Sequence, residues 1–77
     1  MKELVEVIAK SLVTKPDQVV VTESVADDGS VLLELRVAPD DMGKVIGRQG
    51  KIVKQIRILM RAVAQRKGKK VSVEIMD

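Results

Sequence analysis

Val45-Ile46-Gly47-Arg48-Gln49-Gly50-Lys51-Ile52-Val53-Lys54-Gln55-Ile56 is the stretch on which the reading turns. Two glycines, three positions apart, join a short apolar run to a longer amphipathic one. Gly47 is placed to take the left-handed conformation that ends a helix. Gly50 lacks a side chain where the next helix begins. A helix N-terminus offers free N–H groups and partial positive charge, and together these bind phosphate. Glycine at that point lets a sugar-phosphate chain approach the backbone. Arg48 and Gln49 stand between the glycines as a cation and a neutral donor. Lys44 and Lys51 flank the loop, and Lys54 lies within one turn of it. The chemistry predicted is a backbone clamp. Ile46 and Val53 are the apolar neighbours suited to the floor of a shallow groove, on which bases rest without aromatic stacking.

Other readings of the glycines fail on spacing. A Walker A loop needs a further glycine where Val45 stands, and Ser or Thr where Ile52 stands. The dinucleotide fingerprint G-x-G-x-x-G is absent. Gly43 and Gly47 form a G-x-x-x-G, which outside an apolar 20-mer says little. The bland alternative is an ordinary turn between two helices. Against it stand the cation inside the loop and the charge of the surroundings.

That charge is segregated. Lys44–Lys70 carries 10 of the 14 basic residues, and no acid occurs between Met42 and Val73. The rest of the chain holds four basic and all 11 acidic residues, so a net charge of +3 conceals two opposite halves. Solvated helix faces normally mix both signs. One face is therefore expected to meet a polyanion.

The absences exclude whole classes. With 77 residues the chain is expected to be one domain, 1–77, too small for a deep catalytic cleft and its scaffold. There is no Cys and no His, so thiolate zinc sites and the commonest general base are missing. No catalytic residue, metal site, cofactor or small-molecule substrate is expected. There is no Trp, Tyr or Phe to stack bases. No apolar run approaches the roughly 20 residues of a membrane span. The N-terminal Met-Lys-Glu-Leu-Val-Glu lacks a secretory apolar region, so a cytoplasmic protein is expected.

Periodicity supplies the frame. Lys2–Val13 predicts a helix, with Leu4, Ile8 and Leu12 every four residues and Val5 and Ala9 beside them. Pro16 ends it. Gln18–Val25 and Ser30–Val37 predict a β-hairpin around Ala26-Asp27-Asp28-Gly29, where Asp-Gly supplies the positive φ angles of a tight turn. Val31, Leu33, Leu35 and Val37 share one face of the second strand. Asp40 and Asp41 start a short helix reaching about Ile46. Lys51–Arg66 predicts a longer helix with an apolar stripe of Ile52, Ile56, Leu59 and Val63, widened by Val53 and Met60. Lys54, Arg57 and Arg61 lie roughly opposite. Gly68 ends it, and Val71–Met76 alternates as a third strand. The order is α-β-β-α-α-β, an α+β domain with a three-stranded sheet covered on one face by three helices.

Val45-Ile46-Gly47-x-x-Gly50-x-x-Val53-x-x-Ile56 resembles the signature of KH domains, whose G-x-x-G loop clamps about four nucleotides. The element order resembles the type II, bacterial arrangement. The whole chain is similar to the small bacterial KH-domain RNA-binding proteins of the KhpA family. The resemblance implies that Gly47 and Gly50 form the clamp, that Arg48 and Gln49 contact phosphates, and that Ile46, Val53 and Ile56 shape groove and core. It places the family's variable loop at Ala26–Gly29, as a low, acidic groove wall. It implies a bacterial cytoplasmic RNA chaperone or post-transcriptional regulator. The implied partner is a larger KH-domain protein of the KhpB (Jag) type, with a role in cell-envelope and cell-length homeostasis by analogy.

Three functions compete. Single-stranded RNA binding draws on clamp and charge together. A double-stranded DNA-binding helix-turn-helix protein is the second, though Lys51-Ile52-Val53-Lys54 offers few base-reading side chains. A protein-interaction module is the third. Ile58, on the polar side of the long helix near Ala62, is a candidate contact for self-association or for a partner.

Overall fold

The computed structural model describes residues 1–76. Helix α1 (Lys2–Leu12) leads through a 3-10 turn at Pro16–Gln18 to strands β1 (Val20–Val25) and β2 (Val31–Arg36). A second 3-10 turn, Pro39–Asp41, opens α2 (Met42–Ile46). A third, Arg48–Gly50, leads into α3 (Lys51–Arg66), and β3 (Val71–Met76) closes the order. This is the predicted α-β-β-α-α-β succession, with boundaries moved by one or two residues.

The sheet runs β1-β2-β3, with β2 antiparallel to β1 and parallel to β3. A parallel pair needs a long crossover, and α2 with α3 supplies it. The alternation of β2 decides which face is covered. Val31, Leu33 and Leu35 are buried, as predicted, and join Val21 and Val73 from the neighbouring strands. Val5 and Ala9 of α1, Val45 of α2, and Ile56 and Met60 of α3 pack onto them as one core. Ser24, Ser72 and Glu74 lie on the open face.

Three expectations are corrected. The hairpin turn contains one positive φ, at Gly29 (+87°), and none at Asp28. The Gly29 N–H donates to the Ala26 carbonyl and the Ala26 N–H to the Ser30 carbonyl. This fits a type I turn closed by a left-handed glycine, whose demands Gly29 meets alone.

The buried side of α3 is also rotated from the predicted stripe. The buried residues are Val53, Ile56, Met60 and Ala64, while Leu59 is 42% exposed. At 100° per residue the covered face turns by about 70° from the Ile52–Ile56–Leu59–Val63 line. Helix α1 turns likewise, burying Val5 and Ala9 and leaving Leu4 exposed. The sheet accommodates only part of each wide stripe. The remainders, Ile8 and Leu12 with Ile52 and Leu59, line an apolar groove between α1 and α3, with the buried Ile56 at its base.

The third correction concerns polarity along the domain. The Val25↔Val31 and Val31↔Val71 pairings put the hairpin turn and the start of β3 at one end. Helix α3 runs toward that end over 16 residues, or about 24 Å. The Gly47–Gly50 loop is at the other end. Ala26–Gly29 therefore does not wall the Gly47–Gly50 loop. Asp28 and Gly29 border Lys67, Lys69 and Lys70 instead.

Candidate nucleic-acid interface

The loop between α2 and α3 is built from three unusual backbone positions in four residues. Gly47 has φ +78° and ψ 170°. It carries the expected positive φ, but its ψ is extended rather than left-handed helical. The left-handed positions are Gln49 (φ 58°, ψ 26°) and Gly50 (φ 74°, ψ 16°). Gln49 is the one non-glycine with positive φ among the described residues. The Gly47 N–H donates to the Gly43 carbonyl at 2.9 Å, ending α2. The Gly50 N–H donates back to the Gly47 carbonyl at 3.1 Å, folding the four residues into a tight bend.

The two glycines do different work. A Cβ on Gly47 would meet Ile52 at 2.6 Å from Cγ1 and 2.9 Å from its backbone nitrogen, so the loop closes only without a side chain. A Cβ on Gly50 would meet nothing nearer than Val53 Cγ1 at 4.0 Å. Gly50 is the N-cap of α3, and no side chain caps the helix there. The first-turn N–H groups of α3 are thus approachable beside an open glycine, the geometry that favours phosphate.

The predicted cations gather around this opening. Arg48 and Gln49 are exposed in the loop, Lys44 on α2, and Lys51 and Lys54 on the first turn of α3. The ion pairs among the described residues join the N-terminus to Glu3 and Glu23, and Lys15 to Asp40. None reaches the cations of the loop. Of the two predicted floor residues, Ile46 is half-buried and Val53 is 7% exposed beneath Gly50. Ile46 thus offers apolar surface to a ligand, whereas Val53 mainly supports the loop.

Two positioning features escaped the sequence. Asp41 stands at the start of α2, as expected. It is also fully buried, and its carboxylate accepts bonds from Thr14 N (3.1 Å), Thr14 Oγ1 (2.8 Å) and Lys15 N (3.1 Å). Burial pushes its pKa up, but the bonds from Thr14 and Lys15, with Lys44 nearby, hold it below the ordinary 3.8. It ties the end of α1 to the start of α2, which carries the loop. The second feature is Arg57, read as lying on the polar side. The rotation of α3 brings it over the sheet, where its Nε donates to the Val73 carbonyl at 3.0 Å. The i, i+3, i+7 spacing of Lys54, Arg57 and Arg61 was the available signal, since it places all three on one flank.

No group of three or more His, Cys, Asp or Glu able to hold a metal occurs among the described residues. No helix there is long and apolar enough to cross a membrane.

The family model for the KH domain of KhpA/KhpB matches residues 2–75. The chain is 58% identical to the RNA-binding protein KhpA of Clostridium perfringens over 76 residues, covering 99% of this chain and all of the relative. Identity to the RNA-binding protein KhpA of Clostridium acetobutylicum is 57%, again over 99% and 100% of the two chains. The RNA-binding protein KhpA of Aquifex aeolicus is 43% identical, over 100% of this chain and 96% of its own. No solved structure matches.

Proposed function

The chain belongs to the KhpA/KhpB KH-domain family, and from that membership we propose that it binds single-stranded RNA through Gly47–Gly50. Its relatives are named as RNA-binding proteins. The observation that carries the clamp is the pairing of an open, uncapped Gly50 with exposed cations on both sides of it. Phosphates of the strand lie against the first turn of α3, held by Arg48, Lys44, Lys51 and Lys54, with Gln49 as a neutral donor. A base rests on Ile46. Such contacts position a strand more than they read it, which suits an RNA chaperone or post-transcriptional regulator of the cytoplasm.

A domain that grips about four nucleotides binds weakly alone, and pairing raises affinity through effective concentration. The proposal therefore includes a second KH module, either another copy of this chain or a KhpB-type protein, seated on the apolar groove between α1 and α3. A role in cell-envelope and cell-length homeostasis is its physiological extension. The duplex-DNA reading loses support because α2 is five residues long and α3 buries one face on the sheet.

The test changes Arg48 and Gln49 together to Asp and titrates short single-stranded RNA, with a melting curve alongside. RNA affinity should be lost while the fold is retained. Unaltered affinity overturns the clamp, and tighter binding of duplex DNA than of RNA overturns the ligand.

A further inference from the structure

The two edges of the sheet differ in what covers them. At β3, Arg57 reaches down from α3 and occupies the Val73 carbonyl. At β1 no side chain does the same. The Ala26 N–H donates to the Ser30 carbonyl, so the backbone of Ala26 faces β2. With a period of two, Ser24, Thr22 and Val20 face β2 as well. The N–H and C=O groups of Val21, Glu23 and Val25 therefore point out of the sheet. None of the hydrogen bonds among the described residues uses these backbone groups. Exposed edges are normally blunted by Lys, Pro, a bulge or a very short strand. Strand β1 runs for six residues in unbroken register with β2 and contains neither Lys nor Pro. Its one charge, Glu23, is turned toward α1, where the carboxylate accepts from Lys2 N at 3.2 Å.

We infer that the free edge of β1 is a docking site for a partner protein, which adds an extended, Lys- or Arg-bearing segment there as a fourth strand. Helix α1 packs over β1 and α3 over β3, so this edge lies across the sheet from the basic helix. The inference does not depend on the RNA reading.

Main-chain bonds to Val21, Glu23 and Val25 supply the affinity of such a segment, and the side chains around the edge select its composition. Val20 and Val25 are 50% and 63% exposed at the two ends of β1. Thr22 and Ser24 are exposed between them. Side chains of an added strand would cover this row as cross-strand neighbours. Charge decides the rest. Asp17 precedes β1 and Asp27 follows it, both exposed and outside the ion pairs among the described residues. On the open face Glu34 stands between Thr22 and Glu74, in direct register with both. Like charges directly opposite are unfavourable, and a cation beside them relieves the repulsion. A Lys or Arg opposite Thr22 on the added strand stands two strand spacings, about 10 Å, from Glu34, within reach of two long side chains. Outside Lys44–Lys70 the chain holds four basic and 11 acidic residues, so these acids have few cations of their own. A nucleic-acid strand or a second β1 would bring more negative charge to them. A cationic peptide segment is the occupant they favour.

The test titrates the peptide acetyl-Lys-Val-Lys-Val-Lys-Val-Lys-amide into isotope-labelled protein and follows the amide resonances by NMR. The amide protons of Val21, Glu23 and Val25 should move downfield and exchange more slowly with solvent, while those of Thr22 and Ser24, already bonded to β2, change little. Two control peptides separate the causes. One carries Pro in place of every Val, which keeps the charge but favours polyproline II over a strand. The other carries Glu in place of every Lys. Both should bind at least about tenfold more weakly. Val25→Pro removes an outward N–H at a position where an edge strand tolerates proline. It should weaken the Lys-Val peptide by about tenfold and leave tetranucleotide affinity unchanged, so the edge and the clamp fail separately. Asp17→Asn with Asp27→Asn should weaken the peptide by about threefold. If Val25→Pro melts early, the three peptides on wild type decide alone. Outward amides that do not respond overturn the inference. An equal response to the Pro peptide overturns it too, by reducing the edge to bulk charge, and equal binding of the Glu peptide overturns the cationic occupant. Outward amides that become protected with rising protein concentration, and no peptide, overturn it in favour of a second copy.

Discussion

Gly47 and Ile52 approach so closely that a Cβ on the glycine would stand 2.6 Å from Cγ1 and 2.9 Å from the backbone nitrogen of the isoleucine. A rotamer change relieves the first overlap but not the second. Gly47 also occupies a φ/ψ region that is essentially restricted to glycine, where a side chain costs about 1–3 kcal/mol. Gly50, left-handed with open space around it, sets a lower penalty of about 1–2 kcal/mol. Gly47→Ala should therefore lower the denaturation midpoint much more than Gly50→Ala. Gly50→Ala should stay folded and lose RNA affinity, because its methyl group stands where a phosphate approaches the helix. Equal destabilisation of the two variants in urea would contradict this division of labour.

The bend at Gly47–Gly50 was legible in the sequence because its determinants are local. Two glycines at fixed spacing and cations beside them specify the bend and its charge without reference to the rest of the chain. The positive φ of Gln49 was not legible, since nothing about glutamine announces it and the bend imposes it. The order of elements was legible for the same local reason, with Pro16, Gly29, Pro39 and Gly68 as punctuation. What depends on distant residues was not. Leu59 and Ile56 are equivalent on a helical wheel, and only the sheet decides that Ile56 is covered. The resemblance put Ala26–Gly29 beside the clamp, whereas the parallel pairing of β2 and β3 sends the turn to the opposite end. Asp41 reads as a helix-start acid until Thr14 and Lys15, more than 25 residues away, are seen to donate to it.

The salt dependence of binding counts the cations that matter. On single strands each phosphate neutralised contributes about −0.7 to the slope of log affinity against log salt. Arg48→Gln and Lys51→Gln should each make the slope shallower by about that amount. Lys10→Gln, on the far side of α1, should leave it unchanged. Slopes from anisotropy titrations at several salt concentrations decide this, and an identical slope in all three variants would remove Arg48 and Lys51 from the interface.

Asp41 predicts a pH dependence with a definite sign. Its carboxyl is held below the ordinary 3.8 in the folded protein, so it is ionised more readily folded than unfolded. Such a group stabilises the fold above the unfolded value, and the contribution is lost as pH falls through the folded value. Asp41→Asn should lower the melting temperature by several degrees at pH 6, because the amide NH2 that replaces Oδ2 cannot accept from Lys15 N and the bonds from Thr14 lose their charged acceptor. The gap between wild type and variant should narrow as pH drops below 3.8. Melting curves at pH 6 and below pH 3 check both statements, and a gap that does not narrow in acid would show that the stabilisation does not depend on ionisation.

The apolar groove between α1 and α3 makes the proposed association surface broader than Ile58 alone. Ile58 and Leu59 are 47% and 42% exposed on α3, and Leu4 and Val7 are exposed on α1. In the groove itself Ile8, Leu12 and Ile52 are half-covered around Lys51 and Gln55. Isolated exposed side chains are ordinary, but a contiguous apolar strip marks an association surface. Leu59→Asp places a charge on that strip without touching the buried line of Val53, Ile56, Met60 and Ala64. Sedimentation should show wild type heavier than the variant at micromolar concentration, with both melting cooperatively. Ile58→Asp should do the same more weakly, since Ile58 lies beside the groove rather than in it. The Leu59→Asp variant should keep tetranucleotide binding, because Leu59 lies two helical turns beyond Lys51. It should lose the avidity that two joined clamps have for a longer strand. A monomeric wild type would leave the groove to a different KH-domain protein, and co-sedimentation with a KhpB-type partner, abolished by Leu59→Asp, separates that outcome from an unoccupied surface.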